Sequence, residues 1–144
     1  MVKQRMDPHP VFNFLVEIQG VVAGGFSEVT GLQIETEIKE YREGGLNWYK
    51  HRLAGPTHYP SNLILKRGMT ESDLLIKWYQ AVTLGFVQRL NGSVVLLNAA
   101  GDEKQRWNFF QAYPCKWIGP QLRAGTAQVA IETLEIVHNG IYSI

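Results

Sequence analysis

Cysteine is almost missing from this sequence: Cys115 is the single one among 144 residues. That excludes an internal disulfide framework and any zinc site with more than one sulfur ligand, and it leaves a buried, inert thiol as the expectation. Long apolar runs are lacking too, since no stretch approaches the roughly 18 residues that a membrane-crossing helix needs. Lys3 and Arg5 precede an apolar stretch, but Asp7, Asn13 and Glu17 interrupt it. No secretory signal is therefore expected, and synthesis in the cytoplasm is. Nor is there an excess of charge: 14 Lys and Arg against 13 Asp and Glu leave a formal charge of +1. No global field exists to recruit nucleic acid or an anionic membrane, so neither specific nucleic-acid binding nor membrane anchoring is expected.

The signatures of catalysis are missing as well. There is no G-x-S-x-G elbow, no phosphate-binding P-loop and no G-x-G-x-x-G fingerprint. His9, His51, His58 and His138 are scattered without a supported metal-ligand spacing. Glu35, Glu37 and Glu40 imitate a paired acid and base, yet Lys39 shares a strand face with the first two, which suits a solvated surface. No catalytic residue, cofactor site or metal site is assigned, and no enzyme is expected.

What is present is a balance of 45% hydrophobic and 19% charged residues, enough for one folded domain with a single core. Alternation marks strands: Phe12, Phe14, Val16 and Ile18 form one apolar row, and Leu63 with Leu65 forms another. Over residues 32–41, Ile34, Thr36, Ile38 and Glu40 lie on one face and Gln33, Glu35, Glu37 and Lys39 on the other. Residues 42–61 carry Gly44, Gly45, Gly55, Pro56 and Pro60 and keep no period, which predicts a long loop or extended arm. Thr70 with Asp73 reads as a helix start, Leu74, Leu75, Trp78, Tyr79 and Val82 fall at helical spacing, and Gly85 ends the helix. Asn91-Gly92 predicts a hairpin turn between strands at 87–90 and 94–98, and a second turn falls at Gly101-Asp102. A strand from Trp107 to Tyr113 is expected to stop at Pro114, and 129–138 reads as the final strand. Trp78 and Trp107 read as core, Trp48 and Trp117 as interface candidates. The sum is an all-β fold with one helix: an antiparallel two-sheet sandwich or distorted barrel flanked by a single α-helix.

Certain runs go further. Pro10-Val11-Phe12-Asn13-Phe14-Leu15-Val16-Glu17-Ile18, then Gly25-Phe26-Ser27-Glu28-Val29-Thr30-Gly31-Leu32, resemble the opening of the T4-like phage tail tube family. Tyr41-Arg42-Glu43-Gly44-Gly45, residues 63–70, residues 112–117 and residues 130–140 continue the likeness nearly end to end. The resemblance implies a tail-tube-like fold and a non-enzymatic subunit of the inner tube of a contractile injection system. Homohexameric rings would stack into a hollow conduit, with sheath protein, baseplate and tube-terminating proteins as partners and protein cargo in the lumen. The particle would be a phage tail or a phage-tail-like device released outside the cell.

The resemblance covers main tube subunits and baseplate-proximal tube-initiator paralogues alike. A secreted ring-forming protein of a type VI system shares the architecture, and a small ligand- or flavin-binding β-barrel is the reading from a different class. Within the tube reading, Arg42, Glu43, Gly44, Gly45, Asn47, Trp48, Tyr49, Tyr59 and Trp117 are expected at contacts between subunits or rings. Gln33, Glu35, Glu37 and Lys39 are expected to face the lumen.

Overall fold

The computed structural model describes residues 14–42, 44–45, 49–68, 73–121, 124–125 and 130–143. Among them are ten strands and one helix: β1 (Phe14–Ile18), β2 (Val21–Phe26), β3 (Glu28–Thr30), β4 (Glu35–Tyr41), β5 (His51–His58), β6 (Leu63–Gly68), α1 (Leu74–Thr83), β7 (Leu90–Leu97), β8 (Glu103–Ile118), β9 (Ile131–Val137) and β10 (Gly140–Ser143). Eight strands form an antiparallel ladder in the order β2-β1-β7-β8-β9-β6-β3, with β10 also on β8, while β4 and β5 pair only with each other.

The 16-residue strand β8 is shared by the two halves of the ladder. Its first half pairs with β7 and β10, and from Tyr113 to Ile118 it pairs with β9. The ladder stays open, because β2 bonds to β1 and β3 to β6 rather than to each other. Only Ser27 separates these two end strands in the chain, and its N–H donates to the Lys66 carbonyl at 2.9 Å. One face of the folded ladder buries Val16, Phe26, Leu63, Leu65, Val94, Phe109 and Ile136, and α1 closes it with Leu75 and Trp78. Burying each of these large side chains stabilises the fold by about 1.5–3 kcal/mol.

The helix ends as the sequence predicts: Gly85 has φ +93°, and the N–H of Phe86 reaches back to the Ala81 carbonyl at 2.8 Å. At its start, Asp73 makes no side-chain cap and instead meets Lys77 at 3.1 Å; Thr70 lies outside the described residues. The turn at Gly101 holds, with Asn98 Oδ1 accepting from the N–H groups of Ala100 and Asp102 at 2.9 Å each.

The predicted hairpin at Asn91-Gly92 does not exist. Both residues lie inside β7, at an irregularity flanked by β1 and β8, and residues 86–89 form no strand. Glycine is needed there for close approach, since a Cβ on Gly92 would collide with the Glu17 carbonyl and the Phe109 ring. Asn91 has a different task. Its carbonyl accepts the N–H of Gln19 at 2.8 Å and its Oδ1 accepts the N–H of Gln111 at 3.0 Å, the two non-glycine residues with left-handed backbone among the described residues, φ 52° and 55°. Pro114 does not stop β8 either: a bulge between Pro114 and Lys116 absorbs the missing donor. β10 is an addition that the sequence pattern does not announce.

Candidate functional site: the assembly surfaces

The segment expected to be an irregular arm is half strand. β4 and β5 form a two-stranded ribbon with every β4 residue exposed. Thr36 pairs with Thr57 and Ile38 with Ala54, which leaves Glu37 opposite both Gly55 and Pro56. This bulge lets an edge strand carry a proline. Cross-strand pairs hold the ribbon: His58 Nε2 and Glu35 Oε2 at 2.8 Å, the Thr36 and Thr57 hydroxyls at 2.9 Å, and Lys50 with Glu40 at 3.4 Å. Tyr41 stacks on His51 at 5.7 Å, and Tyr49 meets the same ring edge-on at 5.1 Å. Each exposed pair contributes only a few tenths of a kcal/mol.

A two-stranded ribbon is marginal in water unless something packs on it. Here neither face is covered by the chain's own core. Ile34 and Ile38 are 60% and 59% exposed on one side, and Leu53, the partner of Lys39, is 54% exposed on the other. Glu35, Glu37 and Lys39 alternate with Ile38 along β4, and Gln33 is tied to the ribbon's root by the Ser61 hydroxyl at 2.8 Å.

The remaining predicted contact residues fall in different settings. Arg42, Gly44, Gly45 and Tyr49 are exposed near the ribbon's far end; Glu43, Asn47 and Trp48 lie outside the described residues. Tyr59 packs against the chain's own core, edge-on to the buried His138 at 5.5 Å. Trp117 is partly exposed near the end of β8. Trp78 is buried with its Nε1–H donating to the Gln88 carbonyl at 3.0 Å, and Trp107 packs on the core.

Sequence reading missed a surface ion network. Arg106 donates to Glu17 at 2.7 Å and to Glu103 at 2.7 Å, which raises the guanidinium pKa and lowers that of Glu103. It stitches β1 to β8 across β7. Cys115 is half-buried; burial, then the charge and hydrogen bond of Glu135, push its thiol pKa up, so it is held as an unreactive thiol. Between α1 and the end of β1 lies an open groove of about 500 Å³, lined by Ile18, Leu74, Trp78 and Leu90. Its one charged lining residue, Lys77, is turned to Asp73. Among the described residues no cluster of His, Cys, Asp or Glu is arranged to hold a metal, and no helix is long and apolar enough to cross a membrane.

Among the described residues several strands are bonded on one side only: β2, β3, β10 and both members of the ribbon. Edges left open in this way, beside a ribbon exposed on both faces, belong to a β-rich fold whose exposed edges can accept further strands. The chain belongs to the T4-like virus tail tube protein gp19 family, whose sequence profile matches residues 10–142. It is similar to a chain of the sheath–tube complex of the extracellular contractile injection system PVC in its extended state, at 26% identity and TM-score 0.74, covering 95% of this chain and 91% of that one. It is equally similar to a chain of the anti-feeding prophage baseplate, at 27% identity and TM-score 0.74 over 97% of each. Hcp1 from Flavobacterium johnsoniae shares the fold at 16% identity and TM-score 0.50, over 92% of this chain and all of that one. No curated protein matches the chain in sequence. The chain is thus a tail tube protein of a phage tail or an extracellular contractile injection particle.

Proposed function

We propose that six copies of this chain close into a ring and that rings stack into the hollow inner tube of a contractile machine. The observation that carries this reading is the β4–β5 ribbon, which carries exposed isoleucines and has no cover among the described residues of its own chain. Within a tube family the natural cover is another copy, in the same ring or the next. Six-fold closure is supported by the baseplate relative, whose structure is six-fold symmetrised. The face carrying Ile34 and Ile38 turns to the neighbour. Gln33, Glu35, Glu37 and Lys39 line the lumen, where a hydrated wall lets protein cargo slide. Arg42, Glu43, Gly44, Gly45, Asn47, Trp48 and Tyr49 meet the adjoining copy, while Tyr59 buttresses the ribbon's root.

Assembly starts on a baseplate and ends at tube-terminating proteins, and a sheath surrounds the tube; the PVC relative comes from a sheath–tube complex. No covalent bond is made or broken, no cofactor is used, and the work is mechanical. The chain is made in the cytoplasm as one folded domain. Negative-stain electron microscopy of the purified protein tests this: six-fold rings or hollow tubes are expected. A species that stays monomeric, even when co-expressed with its baseplate and sheath, would overturn it.

A further inference from the structure

Trp117 is 38% exposed, and an exposed side chain of this size ordinarily loses rotamer freedom when a partner immobilises it. In this fold the immobilisation is already done. The indole Nε1–H donates to Glu132 Oε2 at 3.1 Å, and the other oxygen of that carboxylate accepts from Arg67 Nε at 2.6 Å. Arg67 is only 2% exposed and lies over the Phe26 ring at 5.0 Å. Two glycines shape the site. A Cβ on Gly24 would collide with Arg67 Nη1, and a Cβ on Gly119 would come within 2.7 Å of the Trp117 ring. β2, β6, β8 and β9 therefore converge on one indole.

A buried ion pair is a poor source of stability, because desolvating the charges offsets most of their attraction. Its value here is geometric. Resting on the reading that Trp117 stands at a subunit contact, we propose that the Arg67–Glu132 pair is a positioning device that presets the Trp117 indole as an anchor for a second copy of this chain. The Cys115 carbonyl in this half of β8 is taken by the Tyr79 hydroxyl of α1 at 2.9 Å, but among the described residues the stretch from Lys116 to Ile118 has a ladder partner only in β9. The occupant is a second copy because an open strand edge is where an identical chain adds. A rigid tryptophan at that edge is the kind of side chain that dominates such contacts.

The test uses the full chain and compares critical concentrations for tube assembly by sedimentation, with melting temperature as the control for folding. Trp117→Ala is expected to raise the critical concentration at least about tenfold. The double variant Arg67→Met with Glu132→Leu replaces the ion pair by apolar groups; its melting temperature should hold or rise while its critical concentration rises about as much. Trp117→Phe, which keeps a ring and loses the N–H donor, should behave likewise and serves if the double variant fails to fold. Normal assembly of Trp117→Ala would remove the contact reading itself. Weakened assembly of Trp117→Ala beside normal assembly of Trp117→Phe or of a folded double variant would keep the contact and overturn the positioning device.

Discussion

His138 is a buried polar group with little support. It is 8% exposed, both ring nitrogens are buried without a well-formed hydrogen bond, and the backbone of Ser61 and Gly140 faces it. Burial pushes its pKa below the ordinary imidazole value of 6.5, outweighing those backbone groups. Above 6.5 the folded and unfolded chains both carry the neutral ring. Below it, the unfolded chain takes a proton that the folded chain refuses, so stability falls until the depressed folded value is reached. Melting temperatures measured from about pH 7 to about pH 5 should therefore drop, with this residue contributing up to about 1.4 kcal/mol per pH unit. His138→Phe keeps the ring against Tyr59 and should flatten that part of the profile; parallel profiles would show that the acid sensitivity lies elsewhere. Little of this is visible in the sequence. A lone histidine after a strand gives no hint of its burial, and the link from Trp117 through Glu132 to Arg67 spans residues 65 positions apart in the chain.

At the scale of elements, legibility followed local periodicity. β1, β6 and α1 were readable because their apolar residues recur at the spacing each element imposes. β5 was not, because Gly55 and Pro56 break its pattern and only the pairing with β4 shows that they form a bulge. Asn91-Gly92 misled for a related reason: the same dipeptide serves a two-residue turn and a close crossing of three strands, and only β1 and β8 on either side decide between them. The tube fold and the polar row Glu35, Glu37 and Lys39 were legible; the separation of the ribbon from the main ladder was not. That separation makes a sharp test possible. Ile38→Asp changes an exposed residue, so the isolated chain should keep its stability within about 0.5 kcal/mol. If the ribbon is covered by another copy, buried unpaired charge should raise the critical concentration at least about tenfold in the same sedimentation assay. Unchanged assembly would leave Ile38 outside any contact.

For the whole molecule, the consequence of uncovered surface is that folding and assembly share their stabilisation. Neighbours that bind only the folded chain stabilise it by mass action, so the melting temperature should rise with protein concentration across the range where tubes form. Calorimetry on dilute and concentrated samples measures this, and a concentration-independent transition in samples that contain tubes would contradict it.

β8 is shared by the two halves of the ladder and is flanked by β7, β10 and β9 in turn. A load applied along that strand is borne in shear by three antiparallel ladders together, so their hydrogen bonds must fail as a group rather than one after another. In the proposed tube, a subunit loaded along β8 would resist by that route, because one continuous strand ties three ladders together.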